Sequence, residues 1–533
     1  GTLTENRMRL GVLVAAGRRY ERLADVNPPA IARRIGQVLS LCNDVRVKVD
    51  GMAGEPTEVA LAESAAAAGV DKSLLEARMP RIAELPFDAA RRAMATRHGT
   101  DDGVITLVKG APERVIESCV DEWGDDGRRP LASEHLATAN VLAAEGYRVL
   151  ALAIREEQAD TGDDLESNWT LLGLVGLIDP PRKGVKESID ECRAAGIVPV
   201  MITGDHPATA TAIARELGIA GDADSVVTGS NLAAMEDREL ARRVEDIRVY
   251  ARVNPEQKIR IVRALLDRGH FVAMTGDGVN DAPALKQATI GVAMGERGTE
   301  VAREAAEIVL LDDSFATIVN AVHEGRRVFD DIRKFIRYAM TGNSGEIWVL
   351  LLAPLLGLPL PLLPLHILWI NLVTDSFPGL ALSAEPAEHD IMQRPPRPPD
   401  EGIFTSDMVG HIFWVGLAIG ALTLGTEAWA VDRGIAHWQT MVFTVLVMAQ
   451  LFHSLAIRSE RHSLFSIGIF GNPALIAAVL AMVAAQLAVI YVPALNPIFR
   501  TAPLSAGQLA ACFGMGSIVF VIVELEKLVR RRA

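Results

Sequence analysis

After Arg337 the chain carries six apolar runs, centred near Val349, Leu372, Ile419, Leu446, Val483 and Val519. A helix needs about 20 apolar residues to cross a bilayer, and each run approaches that length. Lipid offers backbone polar groups no partners, so segments of this kind close their hydrogen bonds internally as helices. The pattern predicts an all-α membrane domain of six helices over 328–533, entered through the basic amphipathic stretch Val328–Met340. Arg394, Arg397, Arg458, Arg461 and Arg530 to Arg532 fall in alternate connections. Excess positive charge marks the cytoplasmic side, so those loops and the soluble part belong there, in a multi-pass membrane protein.

The polar residues inside the apolar runs carry the most information. Asn343 and Glu346 are spaced i, i+3, and Asn371, Thr374 and Asp375 are spaced i, i+3, i+4, so each set shares one face of an α-helix. A carboxylate at the membrane centre costs at least about 2.5–3.5 kcal/mol. Helix-packing contacts account well for single Asn or Thr residues and poorly for two acids. Carboxylates, amides and a hydroxyl together form the all-oxygen ligand set of a hard metal cation.

The preceding part is charged and mixed, and 533 residues exceed what one core organises. A net charge of -14 excludes a nucleic-acid partner of the usual basic kind. Cys42, Cys119, Cys192 and Cys512 form no CxxC pair and read as reduced thiols. In FVAMTGDGVNDAPALKQATIGVAMG (Phe271 to Gly295) a short apolar strand stops at a glycine turn holding Asp277, Asn280 and Asp281. Carboxylates at the C-terminal edge of a strand sit where α/β sheets bind ligands, and they suit Mg2+ with phosphate oxygens. The same strand, turn and helix pattern recurs at Gly196 to Ile219, with Thr203, Gly204 and Asp205 in the turn, and a helix carrying Lys258 follows Pro255. The alternation predicts a doubly wound parallel sheet.

Before it, residues 8–177 read as an inserted mixed α/β domain. GEPTEVAL enters a helix with Glu55 and Glu58 near its N-terminus, where negative charge is favoured. AELPFDAARRAM places Phe87 shortly before Arg91 and Arg92, an aromatic face beside guanidinium groups that suits a purine and its phosphates. VITLVKGAPE sets Lys109 at a strand end.

TGDGVNDAPALK resembles the hinge motif of the P-type ATPases, cation pumps that carry a phosphoaspartate in a domain of haloacid dehalogenase type. GEPTEVAL, PFDAARRAM and KGAPE are similar to that family's nucleotide-domain motifs, in the family's order. The resemblance implies ATP contacts at Glu58, Phe87, Arg92, Lys109 and, in GYRVLALA, Arg148. It implies Mg2+ at Asp277, phosphoryl contacts from Lys258 and from Thr203 in the Thr203-Gly204-Asp205 turn, and a site completed by Asn280 and Asp281. GTLTEN matches the end of the family's DKTGTLT string, with Thr2 and Thr4 offering hydroxyls to phosphate. The aspartate nucleophile is then expected three residues before Gly1, and the chain is expected to be a fragment. Its actuator domain and first four membrane helices would lie in the same or a separate chain. The implied layout is a phosphorylation domain over 1–7 and 178–327, a nucleotide-binding domain over 8–177 and the membrane domain over 328–533.

LWINLVTD resembles the calcium-pump branch, which implies Asn343, Glu346, Asn371, Thr374 and Asp375 as ligands for Ca2+, while Gln450 stands where that branch often has Glu. Mn2+ or Na+/K+ are the alternative cargoes. The implied activity is ATP-driven cation transport in a prokaryotic plasma membrane. A split or regulatory nucleotide-binding subunit is the rival reading, and a membrane-tethered phosphatase is disfavoured because an anchor has no use for intramembrane acids.

Overall fold

The computed structural model describes residues 3–48, 51–158, 164–221, 226–398 and 401–530. Thr2 lies outside them. The chain divides into two compact units, Gly1–Val319 and Asn320–Ala533.

The first unit is built on a nine-stranded sheet. Arg18–Tyr20, Arg9–Ala15, Trp169–Ile178, Arg148–Glu157, Gly103–Gly110, Ala93–Thr100 and Arg81–Leu85 follow one another across it, every neighbour antiparallel. Successive side chains of a strand point to opposite faces. Leu107, Leu152 and Leu172 therefore pack with helices Pro29–Leu41 and Pro56–Ala67, whereas Val108, Ala153 and Leu171 join a second core with Val115 and Leu142 from helices Pro112–Glu117 and His135–Ala144. Gly173 allows the strands to close up: its φ of +152° disfavours any side chain, and a Cβ there would collide with the Val14 carbonyl. The free thiols of Cys42, Cys119 and Cys192 are buried, and burial pushes Cys119 up to about 12.

The same unit holds six parallel strands joined by helices, as the alternation predicts. They pair, however, as two sheets of three. Val249–Ala251 lies between Met201–Thr203 and Val226–Thr228, and Ile290–Met294 lies between Ala273–Gly276 and Ile308–Leu310. Among the described residues no ladder joins Met201–Thr203 to Ala273–Gly276.

The second unit is helical. Five helices are long and apolar enough to cross a membrane: Pro364–Leu382, Ser406–Asp432, Trp438–Ala456, Pro473–Tyr491 and Ala506–Arg530. The other expected segment, around Val349, forms the end of the 41-residue helix Phe315–Leu355. Thr341, Asn343, Ser344 and Glu346 interrupt its apolar run, which keeps it out of the five. Trp438–Ala456 is the most enclosed helix, and its Leu446 and Val447 pack with Val349, Ile419 and Val519. Small residues let neighbours close in: a Cβ on Gly345 would sit 2.8 Å from Ile419 Cγ2.

Candidate functional site

Three polar groupings gather the residues singled out above. The first is spread over the strand ends of the two parallel sheets, with no hydrogen bond among the described residues between the Thr203 turn and the Asp277–Asp281 turn. Asn254 caps helix Pro255–Asp267 in a reciprocal box with Gln257, which fixes the first turn that carries Lys258. Lys258 Nζ then donates to Asp281 Oδ1 at 2.6 Å. The other oxygen of Asp281 accepts from the backbone N–H groups of Asp277 and Gly278, at 3.3 and 3.2 Å. Both oxygens of buried Asp281 are thus committed, making it the residue that shapes the turn and holds the lysine. Among the described residues the part-buried Asp277 carboxylate accepts no side-chain hydrogen bond. Thr203 ends its strand and donates from Oγ1 to Asp205 Oδ2 at 2.8 Å, with Gly204 exposed between them. Asn280 is exposed in the turn Val279–Asp281. Thr4 donates to Asp179 Oδ2 at 2.6 Å, and Arg182 donates to the carbonyls of Thr4 and Asp313.

The second grouping lies on the nine-stranded sheet. Glu55 caps helix Pro56–Ala67 by accepting from the N–H groups of Thr57 and Glu58. Glu58 is thereby held facing the sheet, where Lys109 Nζ donates to its Oε1 at 2.5 Å and the Asp44 N–H donates to its Oε2 at 3.0 Å. Arg148 donates to Thr57 Oγ1 at 3.0 Å. Behind the pair, burial pushes the fully enclosed Cys42 thiol up against the lowering influence of Lys109. Phe87 is 61% exposed in the loop before Ala93–Thr100. Arg92, at the end of that loop with φ of +58°, reaches Glu113 at 3.5 Å. Ala93 pairs with Gly110, so Arg92 leaves the sheet beside the end of the strand that holds Lys109.

The third grouping is intramembrane. Glu346 and Asp375 are 5% and 8% exposed. Asn371 Nδ2 donates to Glu346 Oε2 at 3.0 Å and Gln450 Nε2 donates to Oε1 at 3.3 Å. Tyr338 donates its hydroxyl to Asp375 Oδ1 at 3.1 Å. A Cβ on Gly342 would lie 3.0 Å from Gln450 Nε2 and 3.2 Å from Asp375 Oδ2, so these groups surround a glycine. Residues Ile370–Thr374 depart from the α-helical face that spacing predicts: they form a π turn, with the Asp375 N–H bonded to the Ile370 carbonyl at 2.9 Å. Asn371 is accordingly exposed on one side while Thr374 is buried. Among the described residues no hydrogen bond brings the side chains of Asn343 or Thr374 into the cluster. Tyr338 and Gly342 escaped the sequence reading, although Tyr338, Gly342 and Glu346 recur at i, i+4, i+8 and so form one stripe.

An α/β unit with acids at its strand ends, and a helical unit with paired carboxylates among membrane-length helices, define a membrane protein with separate soluble and intramembrane polar sites. Residues 32–184 match the family model for the P-type ATPase cytoplasmic domain N, and residues 359–529 match that for the cation transporting ATPase C-terminus. Calcium-transporting ATPase 1 of Bacillus cereus is 40% identical over 557 residues, covering all of this chain and 62% of that protein. The calcium-transporting ATPase of Bacillus subtilis is 40% identical over 563 residues, again across the whole chain and 63% of its own length. The probable cation-transporting ATPase F of Mycobacterium tuberculosis matches at 40% over 565 residues, with 62% of it covered. The chain spans somewhat less than two thirds of these relatives. It belongs to the P-type cation-transporting ATPase family.

Proposed function

We propose that this chain contributes the nucleotide-binding, phosphoryl-transfer and C-terminal membrane parts of an ATP-driven cation pump in a prokaryotic plasma membrane, with Ca2+ as its cargo. The observation that carries the reading is the pairing of Glu346 and Asp375 in the helical unit, lined by Asn371 and Gln450. Two buried acids with amide groups on three helices offer a hard divalent cation charge and oxygen ligands together. The names of the Bacillus relatives support Ca2+. In this reading Asn343 and Thr374 complete the ligand set, and the end of helix Phe315–Leu355 is the sixth crossing.

The two parallel sheets are read as halves of one doubly wound sheet of haloacid dehalogenase type, spanning 1–7 and 178–327, with the nucleotide domain over 8–177 and the membrane domain over 328–533. The phosphorylated aspartate would stand three residues before Gly1 in the sequence. Glu58, Lys109, Arg92 and Arg148 hold ATP, and exposed Phe87 stacks on its base. Lys258, fixed by Asp281, and Thr203 neutralise and orient the phosphoryl oxygens as charge spreads over them. Gly204 and Asp205 shape the Thr203 turn, and Asn280 stands at its rim. The free carboxylate of Asp277 fits Mg2+, which would supply further charge neutralisation at the phosphate.

The test is ion-stimulated phosphorylation from ATP on the protein with its upstream residues, comparing Ca2+, Mn2+ and Na+, alongside Asp375→Asn. A hydroxylamine-sensitive phosphoenzyme that Ca2+ stimulates and Asp375→Asn loses is the expected result. Phosphorylation indifferent to every ion sinks the transport reading.

A further inference from the structure

Where helix Ser406–Asp432 begins and helix Ala506–Arg530 finishes, a groove of about 440 Å³ opens between the two. Trp414, Ile522, Leu525, Glu526, Val529 and Arg530 line it. Trp414, Leu525 and Val529 are 45%, 55% and 67% exposed, so its apolar wall faces away from the bundle. Both helices are long and apolar enough to cross a membrane, and lipid is the medium such a wall meets there.

The polar residues gather at one end. Ile522, Glu526 and Arg530 recur at i, i+4, i+8 and form one stripe, about 12 Å long at the α-helical rise. Arg530 ends its helix and Asp407 stands in the first turn of the other. Gly410 and Trp414 follow Asp407 on the same face, and a Cβ on Gly410 would meet nothing within 4 Å, which leaves that face open. Trp414 donates its indole N–H to Glu526 Oε2 at 3.3 Å and keeps its ring in the groove wall. Amphipathic rings of this kind settle at the membrane–water interface. The groove thus runs from a charged rim onto an apolar wall, the profile of a lipid headgroup and its upper acyl chain.

The rim charges sort the headgroups. Glu526 is compensated from within the protein: Arg530 Nη2 lies 2.7 Å and buried Arg337 Nη2 3.9 Å from its Oε1, and His411 Nδ1 lies 2.8 Å from its Oε2. Arg530 and Asp407 are 37% and 81% exposed at their side chains, with Nη1 and Oδ2 3.6 Å apart. That separation is beyond a direct hydrogen bond, so the cation and the anion each retain capacity for a third group.

We propose that this groove seats one phosphatidylethanolamine molecule. Its phosphate accepts from Arg530, its primary ammonium donates to Asp407, and its upper acyl chain lies along Leu525, Val529 and the Trp414 ring. Phosphatidylcholine carries the same two charges, but its methylated nitrogen has no N–H for Asp407. Phosphatidylglycerol offers Arg530 a phosphate and sets an uncompensated negative charge beside Asp407. The site goes beyond the cation-transport reading and needs only that the two helices cross a bilayer.

The experiment is quenching of Trp414 fluorescence by lipids brominated high on the acyl chain, with the chain in phosphatidylcholine vesicles. The difference between the unmodified chain and Trp414→Phe isolates Trp414 from the other tryptophans. Brominated phosphatidylethanolamine quenches that share at about tenfold lower mole fraction than brominated phosphatidylcholine, the scale of one hydrogen bond to a charged group. Asp407→Ala and Arg530→Gln each bring the two curves together, with quenching by phosphatidylcholine unchanged and helix content intact by circular dichroism. Equal quenching by both lipids in the unmodified chain overturns the proposal and leaves ordinary bilayer contact. A preference for brominated phosphatidylglycerol, or an ethanolamine preference that survives both variants, overturns it as well. Ion-stimulated phosphorylation is a separate readout: its absence removes the cation reading and leaves the lipid site standing.

Discussion

Lys109 and Glu58 form an ion pair whose side chains are 8% and 15% exposed, at 2.5 Å. Replacing Lys109 with Met keeps the aliphatic stem and leaves Glu58 with one neutral donor, the Asp44 N–H. Breaking a buried pair in this way costs about 3–5 kcal/mol, and the residual exposure of Glu58 brings the expectation here to about 2–4 kcal/mol. For a unit of this size each kcal/mol moves the melting temperature by about 2–4 °C, so Lys109→Met should lower it by about 5–15 °C. Trp123 and Trp169 both belong to this sheet and report its unfolding by fluorescence. Glu58→Gln should cost a similar amount, and the double variant should cost much less than the sum, a coupling of at least about 1.5 kcal/mol. Additivity within about 0.5 kcal/mol would refute the claim that these residues hold each other in place.

Asp281→Asn removes the anchor of Lys258 and should slow phosphoryl transfer in the protein with its upstream residues about a hundredfold, by rapid-quench phosphorylation; an unchanged rate refutes the anchoring role. Gly342→Ala pushes a methyl toward Gln450 and Asp375, and should raise the Ca2+ concentration for half-maximal phosphorylation while the fold persists by circular dichroism. Among the described residues His98 Nδ1 donates to the Met79 carbonyl and its Nε2 bonds Thr96 Oγ1, and burial holds it below its ordinary value of 6.5. The unfolded chain then takes up a proton that the folded one refuses, so stability is full above about pH 6.5 and declines as pH falls. The melting temperature should drop between pH 7 and 5, with a shallower slope in His98→Asn; equal slopes would clear His98 of the effect.

The turn residues were legible because a strand that ends in glycine and aspartate advertises its own edge, and Thr203 and Asp277 do stand at such edges. The apolar runs announced helices for the reason that lipid leaves them no alternative. What sequence spacing could not supply was partnership across the chain. Asp281 read as a member of the site, yet its oxygens are taken by Lys258 and two backbone groups, a division of labour visible only in three dimensions. Helix spacing also placed Asn371, Thr374 and Asp375 on one face, a rule that assumes 3.6 residues per turn and fails where the turn is wider. His411 lies 2.8 Å from Glu526 and 3.3 Å from His453, on three helices separated by long stretches, and nothing local to any of the three marks that contact.

That wider turn at Ile370–Thr374 is a helix with one residue of slack. Handing the slack one position along exchanges hydrogen bonds singly, and swings the residue it passes by about 100°, the angle one α-helical residue subtends. Asn371 lies within the turn and Asp375 directly follows it, so a shift of the slack would move one of these side chains relative to Glu346. Deleting exposed Leu372 would take up the slack and prevent that shift, leaving cation binding measurable but its release slowed; unimpeded release from the deleted form would show that the turn is fixed.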